Sequence, residues 1–489
     1  FAVFAATLIH IFTIQPYIIP TSSLEGTLLR GDFLFVSKFN YGSNVPNTPL
    51  FLPFMHNTLP FTENTPSYLD WIQLGYNRLP GFQEIKNNDI VVFNWPTDNT
   101  RPNMPFDKKL NYVKRCVGIP GDSLELINGY LYINGTKQEN PNRGKIQHAY
   151  WIQYDEKKGG KKANTTWGEI RKELHNKYEV ELASIYGDIT GTYGDDRDNY
   201  NVRRYRDLLV YGSKEEINLI TDAQKITRVN QSVINQIDTT ESRIFSERFP
   251  GYTLDKYSQS NGLVTSLFPQ PFEYEVTFKE INENCSDTIS YTKTIKFQKP
   301  HNWDNDNYGP IYLPKKGKTI DLNEANLALY GEIITNYEGN KLEIIYITDC
   351  ANFKEGKNIN NQGDYKFIIN GEKTTKYTIQ MDQGYYWMMG DNRHNSQDSR
   401  CWGFVPFSHV VGKPLLVWLS IDWNADNLFN KIRWKRLFTT VHGDGEPRWY
   451  FPHFLVILIL FLFRKKIKKV IKPVLKKIRN KQNINQSSD

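Results

Sequence analysis

Residues 20–32 read PTSSLEGTLLRGD, and they separate two stretches of opposite character. Before them lies Phe1 to Ile19, FAVFAATLIHIFTIQPYII, with no Asp, Glu, Lys or Arg. After them a strand-like run begins at Phe33. Two small hydroxyls, Ser22 and Ser23, therefore stand where the chain leaves an oily segment. A solvated linker is one reading; a serine nucleophile held at a membrane surface is the other.

The apolar segment reads as a helix over 1–19, about 28 Å long at 1.5 Å per residue and just short of a bilayer core. The chain opens on Phe1 without a methionine, so upstream residues, part of this transmembrane helix among them, are expected to be missing. A cleaved signal peptide is the rival reading, but no basic n-region and no small-x-small site precede Pro20. A second apolar run, Trp449 to Phe463, is about 22 Å long if helical. Length alone allows a buried core helix. The Trp449–Tyr450 belt and the RKKIKK that follows favour a second transmembrane helix at 449–463, with the basic side inward. In the tail, 464–489, Ile467, Val470, Ile471, Val474, Leu475 and Ile478 recur at helical spacing among lysines. That pattern suits an anionic membrane face; a solvated basic tail stays open as the alternative. With the tail cytoplasmic, the bulk of the chain lies outside.

The formal net charge of +7 does not indicate nucleic acid. Arg464 to Asp489 carries ten Lys or Arg and one acid. The remainder, with 50 basic and 52 acidic residues, is close to neutral. Four cysteines, none in a CxxC pair, make neither a disulfide scaffold nor a zinc site. Cys285 and Cys350 either pair or stay free thiols.

Between the apolar runs the chain reads mainly as β. DIVVFNW (89–95) is a dense strand, YVKRCVGIPGD (112–122) ends in a Pro-Gly turn, and LELINGYLYING holds Asn128-Gly129, a two-residue hairpin signal. KFIINGEKTTKYTIQ repeats that signal at Asn370-Gly371, and YYWMMGD (385–391) is a further strand. From 136 to 364 the composition shifts to Asn, Tyr, Lys and Glu, with helical patches in GEIRKELHNKYEVELASIY and KEEINLITDAQKI. This stretch reads as an inserted α+β domain. It divides the core into 20–135 and 365–420, with a linker at 421–448.

A serine nucleophile needs a base. No GxSxG elbow is present, and none of the nine histidines is framed as in a serine protease. A lysine desolvated by apolar neighbours is the alternative, and Lys114 in the strand Tyr112-Val113-Lys114-Arg115-Cys116 suits it. PTSSLEGTLLRGD, NNDIVVFNWP, YVKRCVGIPGD and GDNRHNSQDSRCWGFVP, in this order after an apolar segment, resemble type I signal peptidases, the membrane-bound serine/lysine leader peptidases of bacteria. The resemblance covers roughly 1–135 and 365–420. It implies a signal-peptidase-like β core and an enzyme of the bacterial cytoplasmic membrane, its catalytic part outside. The enzyme would remove signal peptides from exported preproteins after small residues, using a Ser/Lys dyad. Its partners would be preproteins and membrane lipid, with no nucleic acid and no cofactor.

The resemblance assigns Ser23 as nucleophile and Lys114 as general base. Thr21 and the Ser23 N–H would form the oxyanion hole. Ser396 would orient the lysine. Asp391, Arg393, Asp398 and Arg400 would be supporting charges, and Ile19, Pro20, Tyr112 and Val113 would line the substrate pockets. Leu24 stands where Met is usual and Gly26 where Pro is frequent; both are compatible in shape. Ser23 Oγ and Lys114 Nζ, 91 positions apart, are expected within about 3–4 Å. Three rivals carry other expectations: a self-cleaving repressor would have a DNA-binding domain, a conjugation-type processing peptidase a narrower substrate, and a dead peptidase scaffold would bind through its insert.

Overall fold

The computed structural model describes residues 1–24, 27–62, 65–98, 100–101, 103–141, 143–144, 146–154, 208–213, 252–256, 272–281, 289–297, 303, 305–349, 364–393, 396–423 and 428–464. Both helical patches of the insert, Cys285, Cys350 and the tail beyond Arg464 lie outside these residues.

The apolar N-terminal segment is not one helix. Helix α1 covers Ala2–Phe12, and Ile14–Ile18 forms strand β1. Pro16 explains the break, because proline inside a helix removes a hydrogen bond and clashes with the preceding turn. β1 is the first strand of its sheet, where a missing N–H is tolerated. It pairs antiparallel with β2 (Asp32–Ser37), Pro16 facing Phe35. The helix expected over 1–19 is thus corrected to 2–12. The other apolar run is helical over Phe451–Leu462. At about 17 and 18 Å the two helices fall well short of a bilayer core. Among the described residues no helix is long and apolar enough to cross a membrane.

The central sheet holds eight strands. In order they are β1, β2, Val410–Ser420, β3 (Ile90–Asn94), β4 (Asn111–Gly118), Tyr385–Met389 and Val405–Pro406, with Thr439–Thr440 on the flank of Val410–Ser420. β3 is buried at every residue, which suits its β-branched run. Its alternation feeds two cores. Val91 and Phe93 pack in a cluster with Cys116, Met388 and Trp402. Ile90 and Val92 pack in another with Ile19, Leu24, Leu28, Leu34 and Val36. Cutting a buried leucine of the second cluster to alanine costs about 2–5 kcal/mol.

Both expected hairpins form. Asn128 and Gly129 take φ of 52° and 79°, as do Asn370 and Gly371 at 52° and 88°, the left-handed values a type I′ turn needs. Asn134-Gly135, with the same signal, makes a third such turn at 52° and 77° between Ile133 and Thr136. The expected border at 364 falls on the first residue of strand Asp364–Ile369, which pairs with Leu342–Asp349. The five-stranded sheet of the insert therefore runs across that border. Tyr308–Tyr312, inside the insert, pairs with Ser123–Ile127 of the core, and one apolar cluster joins Val276, Phe278 and Leu327 to Tyr385, Trp387 and Phe404. Among the described residues, Val276, Phe278 and Leu327 thus share one apolar core with Tyr385, Trp387 and Phe404.

Candidate active site

Ser23 sits in the turn that follows β1, and Lys114 on β4. The fold closes the sequence gap between them: Lys114 Nζ lies 2.5 Å from Ser23 Oγ. Both are buried, at 4% exposure for Lys114 and 7% for Ser23. Lys114 pairs in register with Val91 of β3. By strand alternation it shares a face with Tyr112 and Cys116, whose side chains belong to the cluster around Val91 and Phe93. Its ammonium position is 5.6 Å from the Tyr112 ring centre.

That setting decides its charge. Burial pushes the Lys114 amine down from its ordinary value to about 8, and Arg400 pushes the same way, while Asp398, Cys401 and Asp391 hold it up. A neutral amine accepts the Ser23 hydroxyl proton, whereas an ammonium can only donate. If Lys114 is the base, kcat/KM rises with pH and levels off above about 8. Below that inflection it falls about tenfold per pH unit. A pH–rate profile flat down to pH 6 would contradict this assignment.

The last sequence block builds a frame around Ser23. Asn392, with no exposure, donates its backbone N–H to Ser23 O (3.1 Å) and its side-chain amide to Ser22 O (3.3 Å). A Cβ at Gly390 would stand 2.5 Å from the Ser23 carbonyl oxygen and collide with the Ser396 hydroxyl, so only glycine fits. Asp391 and Arg115 form a two-point ion pair, at 2.7 Å from Nε and 2.6 Å from Nη2. Thr27 Oγ1 donates to the same carboxylate at 2.6 Å.

Asp398 pairs with Arg400 at 2.9 and 2.8 Å and accepts the Gly390 N–H at 3.0 Å. Burial works to raise the Asp398 carboxyl. The adjacent Arg400 guanidinium, with the Gly390 N–H, overrides it and holds the group below its ordinary value. Burial lowers the Arg393 guanidinium to about 10, Arg400 adding to the effect. Its backbone carbonyl accepts from Arg400 Nη2 at 2.5 Å.

Other assigned residues fall as follows. Ile19 is buried in the cluster with Leu24 and Leu28, and Val113 packs against it. Pro20 is exposed and Tyr112 half-buried. Tyr112 stacks on Trp95 at 5.2 Å and meets Trp402 edge-on at 5.4 Å. Thr21 is exposed. Ser396 is buried but directs its hydroxyl to Gln397 O at 3.4 Å, and no hydrogen bond joins it to Lys114. Its Oγ lies beside Gly390, where a Cβ on that residue would collide with it. Arg115, Asn392 and Thr27 carry parts of the frame that the sequence reading did not assign. Arg115 had one visible signal, its place beside Lys114.

β4 is paired on both sides over only part of its length. Strand Tyr385–Met389 pairs with it at Gly118, Cys116 and Arg115. Among the described residues, Asn111 to Val113 of β4 pair with β3 and with no strand on the other side.

Comparison with known proteins points to one family. The family profile described as "Signal peptidase, peptidase S26" matches residues 1–185 and 316–419, more than half of the chain. Signal peptidase I of Rickettsia massiliae (strain Mtu5) is 30% identical over 187 residues, 38% of this chain and 56% of that protein. Signal peptidase I of Rickettsia conorii (strain ATCC VR-613 / Malish 7) is 30% identical over 202 residues, 41% of this chain and 60% of that protein. The chain spans about half the length of the curated relatives it matches. A family match over more than half of the chain leads to one conclusion: the chain belongs to the signal peptidase family, peptidase S26.

Proposed function

We propose that this protein is a membrane-associated serine endopeptidase that removes N-terminal signal peptides from exported preproteins, cleaving after small residues. The observation that carries the reading is the 2.5 Å contact between Ser23 Oγ and Lys114 Nζ in a buried site.

The substrate adds as an extended strand to the open edge of β4 at Asn111–Val113, where main-chain hydrogen bonds hold it and apolar side chains select it. Ile19 and Val113, in one apolar cluster, supply walls that suit small side chains. Ser23 Oγ attacks the scissile carbonyl and passes its proton to Lys114. The oxyanion rests on the Ser23 N–H and the Thr21 hydroxyl. Lys114 then protonates the departing amine, and later takes a proton from the water that frees the acyl group. Ser396, buried beside Gly390, is the residue assigned to orient the amine.

Membrane contact is part of the same reading. α1 and the helix Phe451–Leu462 bury none of their residues, and Phe4, Ile9, Ile457 and Phe461 are each more than half exposed. Trp449 and Tyr450 stand exposed at the start of the second helix, as an interfacial belt requires. The two apolar segments anchor the enzyme in the bacterial cytoplasmic membrane, with the catalytic core and insert outside and the basic tail inside.

Incubating a preprotein with the wild type and with Ser23→Ala tests the proposal. The wild type should release a mature N-terminus and Ser23→Ala none above background; equal cleavage by both would reject it. Thr21 gives a finer test. Losing one oxyanion donor typically lowers turnover about 10²–10³-fold, so Thr21→Val and Thr21→Ala should lower kcat with little change in KM, while Thr21→Ser keeps most activity. A folded Thr21→Val enzyme with normal kcat would remove Thr21 from the oxyanion hole.

A further inference from the structure

The family match ends at residue 419, yet the segment beyond it is hydrogen-bonded to the loop 27–32 that follows Ser23. The loop 27–32 ties both flanks of that turn. On the near side, Ile19 N donates to Asp32 O and Gly31 N to Ile19 O, each at 2.9 Å. On the far side, Thr27 N and Leu28 N donate to Leu24 O at 3.0 and 2.8 Å. Asp32, with no exposure, closes the loop on itself by accepting Leu29 N at 2.8 Å.

The C-terminal segment grips this loop from behind. Arg436 donates from Nε to Asp32 Oδ1 at 3.1 Å and from Nη2 to Asp32 Oδ2, and the same Nη2 reaches Thr27 O at 3.2 Å. Arg433 Nη1 caps Arg30 O at 2.9 Å and also reaches Ile421 O at 3.2 Å. Val441 completes the apolar cluster that holds Leu24 and Leu28. Arg143, from the start of the insert, gathers the carbonyls of Gly445 and Glu446 at 2.7 and 2.9 Å, and its own carbonyl lies 3.3 Å from Thr27 Oγ1.

We propose that Arg436 is a positioning residue for the Ser23 nucleophile, acting through Asp32 and the Thr27 carbonyl; the inference rests on the Ser23–Lys114 reading above. One guanidinium fork meets a buried carboxylate and a backbone carbonyl at once, which a single lysine ammonium does less well. The groups it fixes, 27–32, are bonded directly to Ile19 and Leu24 on either side of the catalytic turn. A displacement of about 1 Å in a reacting group costs on the order of 10² in rate, so loosening this grip acts on turnover rather than on the open β4 edge.

The test uses the full chain in detergent or vesicles, with Arg436→Ala, Arg436→Lys and the exposed neighbour Lys435→Ala as control. Signal-peptide cleavage gives kcat and KM, hydrogen exchange reads the peptide covering 24–32, and melting confirms folding at the assay temperature. Arg436→Ala should lower kcat about 10- to 100-fold with KM within about twofold, and speed exchange at Thr27–Leu29. Arg436→Lys, which keeps the charge beside Asp32, should recover part of kcat, and Lys435→Ala should match the wild type. A folded Arg436→Ala with wild-type kcat and unchanged exchange at Thr27–Leu29 overturns the inference, as does a fall in activity that appears only as rising KM. Should the wild type cut no signal peptide, the functional reading fails, and the exchange arm still decides whether Arg436 holds the loop.

Discussion

Replacing Lys114 with arginine is expected to abolish cleavage as fully as replacing it with alanine. Arginine keeps the length and the positive charge but cannot be deprotonated in a protein, so it offers Ser23 no lone pair. Removing one member of a nucleophile–base unit typically costs about 10⁴–10⁶-fold in kcat, and losses within one unit do not add. Ser23→Ala, Lys114→Arg and the double variant should therefore be about equally inactive toward a preprotein. Lys114→Met, which fits the apolar face shared with Tyr112 and Cys116 without a buried amine, should fold at least as well as the wild type. An arginine variant with a tenth of normal kcat would demote Lys114 to a charge and call for another base.

The second large effect concerns Asp391 and Arg115. Their side chains are 0% and 4% exposed, and both carboxylate oxygens are engaged by the guanidinium. Removing one partner of a buried pair leaves an uncompensated charge and costs about 3–5 kcal/mol. Asp391→Asn and Arg115→Met should each lower the melting temperature by several degrees. The double variant removes both members of the Arg115–Asp391 pair and should recover much of that loss. Activity should behave differently. Asp391 also accepts from Thr27, and the next residue, Asn392, holds the carbonyl of Ser23. The double variant is thus expected to stay well below wild-type kcat even where its stability returns. Calorimetry and cleavage kinetics on the three variants separate the effects; additive stability losses in the double variant would argue against a coupled pair.

How far the sequence was legible differs from residue to residue. The Asn-Gly hairpins were readable because a left-handed pair is a local demand that few residue pairs meet. DIVVFNW was readable because a strand buried on both faces needs an unbroken apolar run. Ser23 and Lys114 were readable as a pair only through the order of four blocks, since a serine in a turn and a lysine in a strand carry no chemistry alone. The first apolar segment misled: absence of charge suggested one helix over 1–19, while Pro16 and strand pairing with Phe33–Ser37 divided it at Phe12. Asn392 and Arg436 were illegible for a shared reason. They act on backbone carbonyls or through a distant carboxylate, and a carbonyl leaves no mark in the sequence of its partner. Ser396 shows the reverse limit: position in a block does not fix a rotamer.

The proposed mechanism turns on Lys114 acting as a neutral base, and the protonation of its amine can be watched directly. Lysines labelled with ¹³C at Cε, with Lys114→Met to assign the signal, give the titration of Lys114 by NMR in the intact enzyme. The same preparation gives the pH dependence of kcat/KM. The expected result is one Lys114 signal titrating at about 8, coincident with the inflection in kcat/KM. A Lys114 signal titrating near the ordinary lysine value of about 10.4, with kcat/KM already level at neutral pH, would contradict a lysine base.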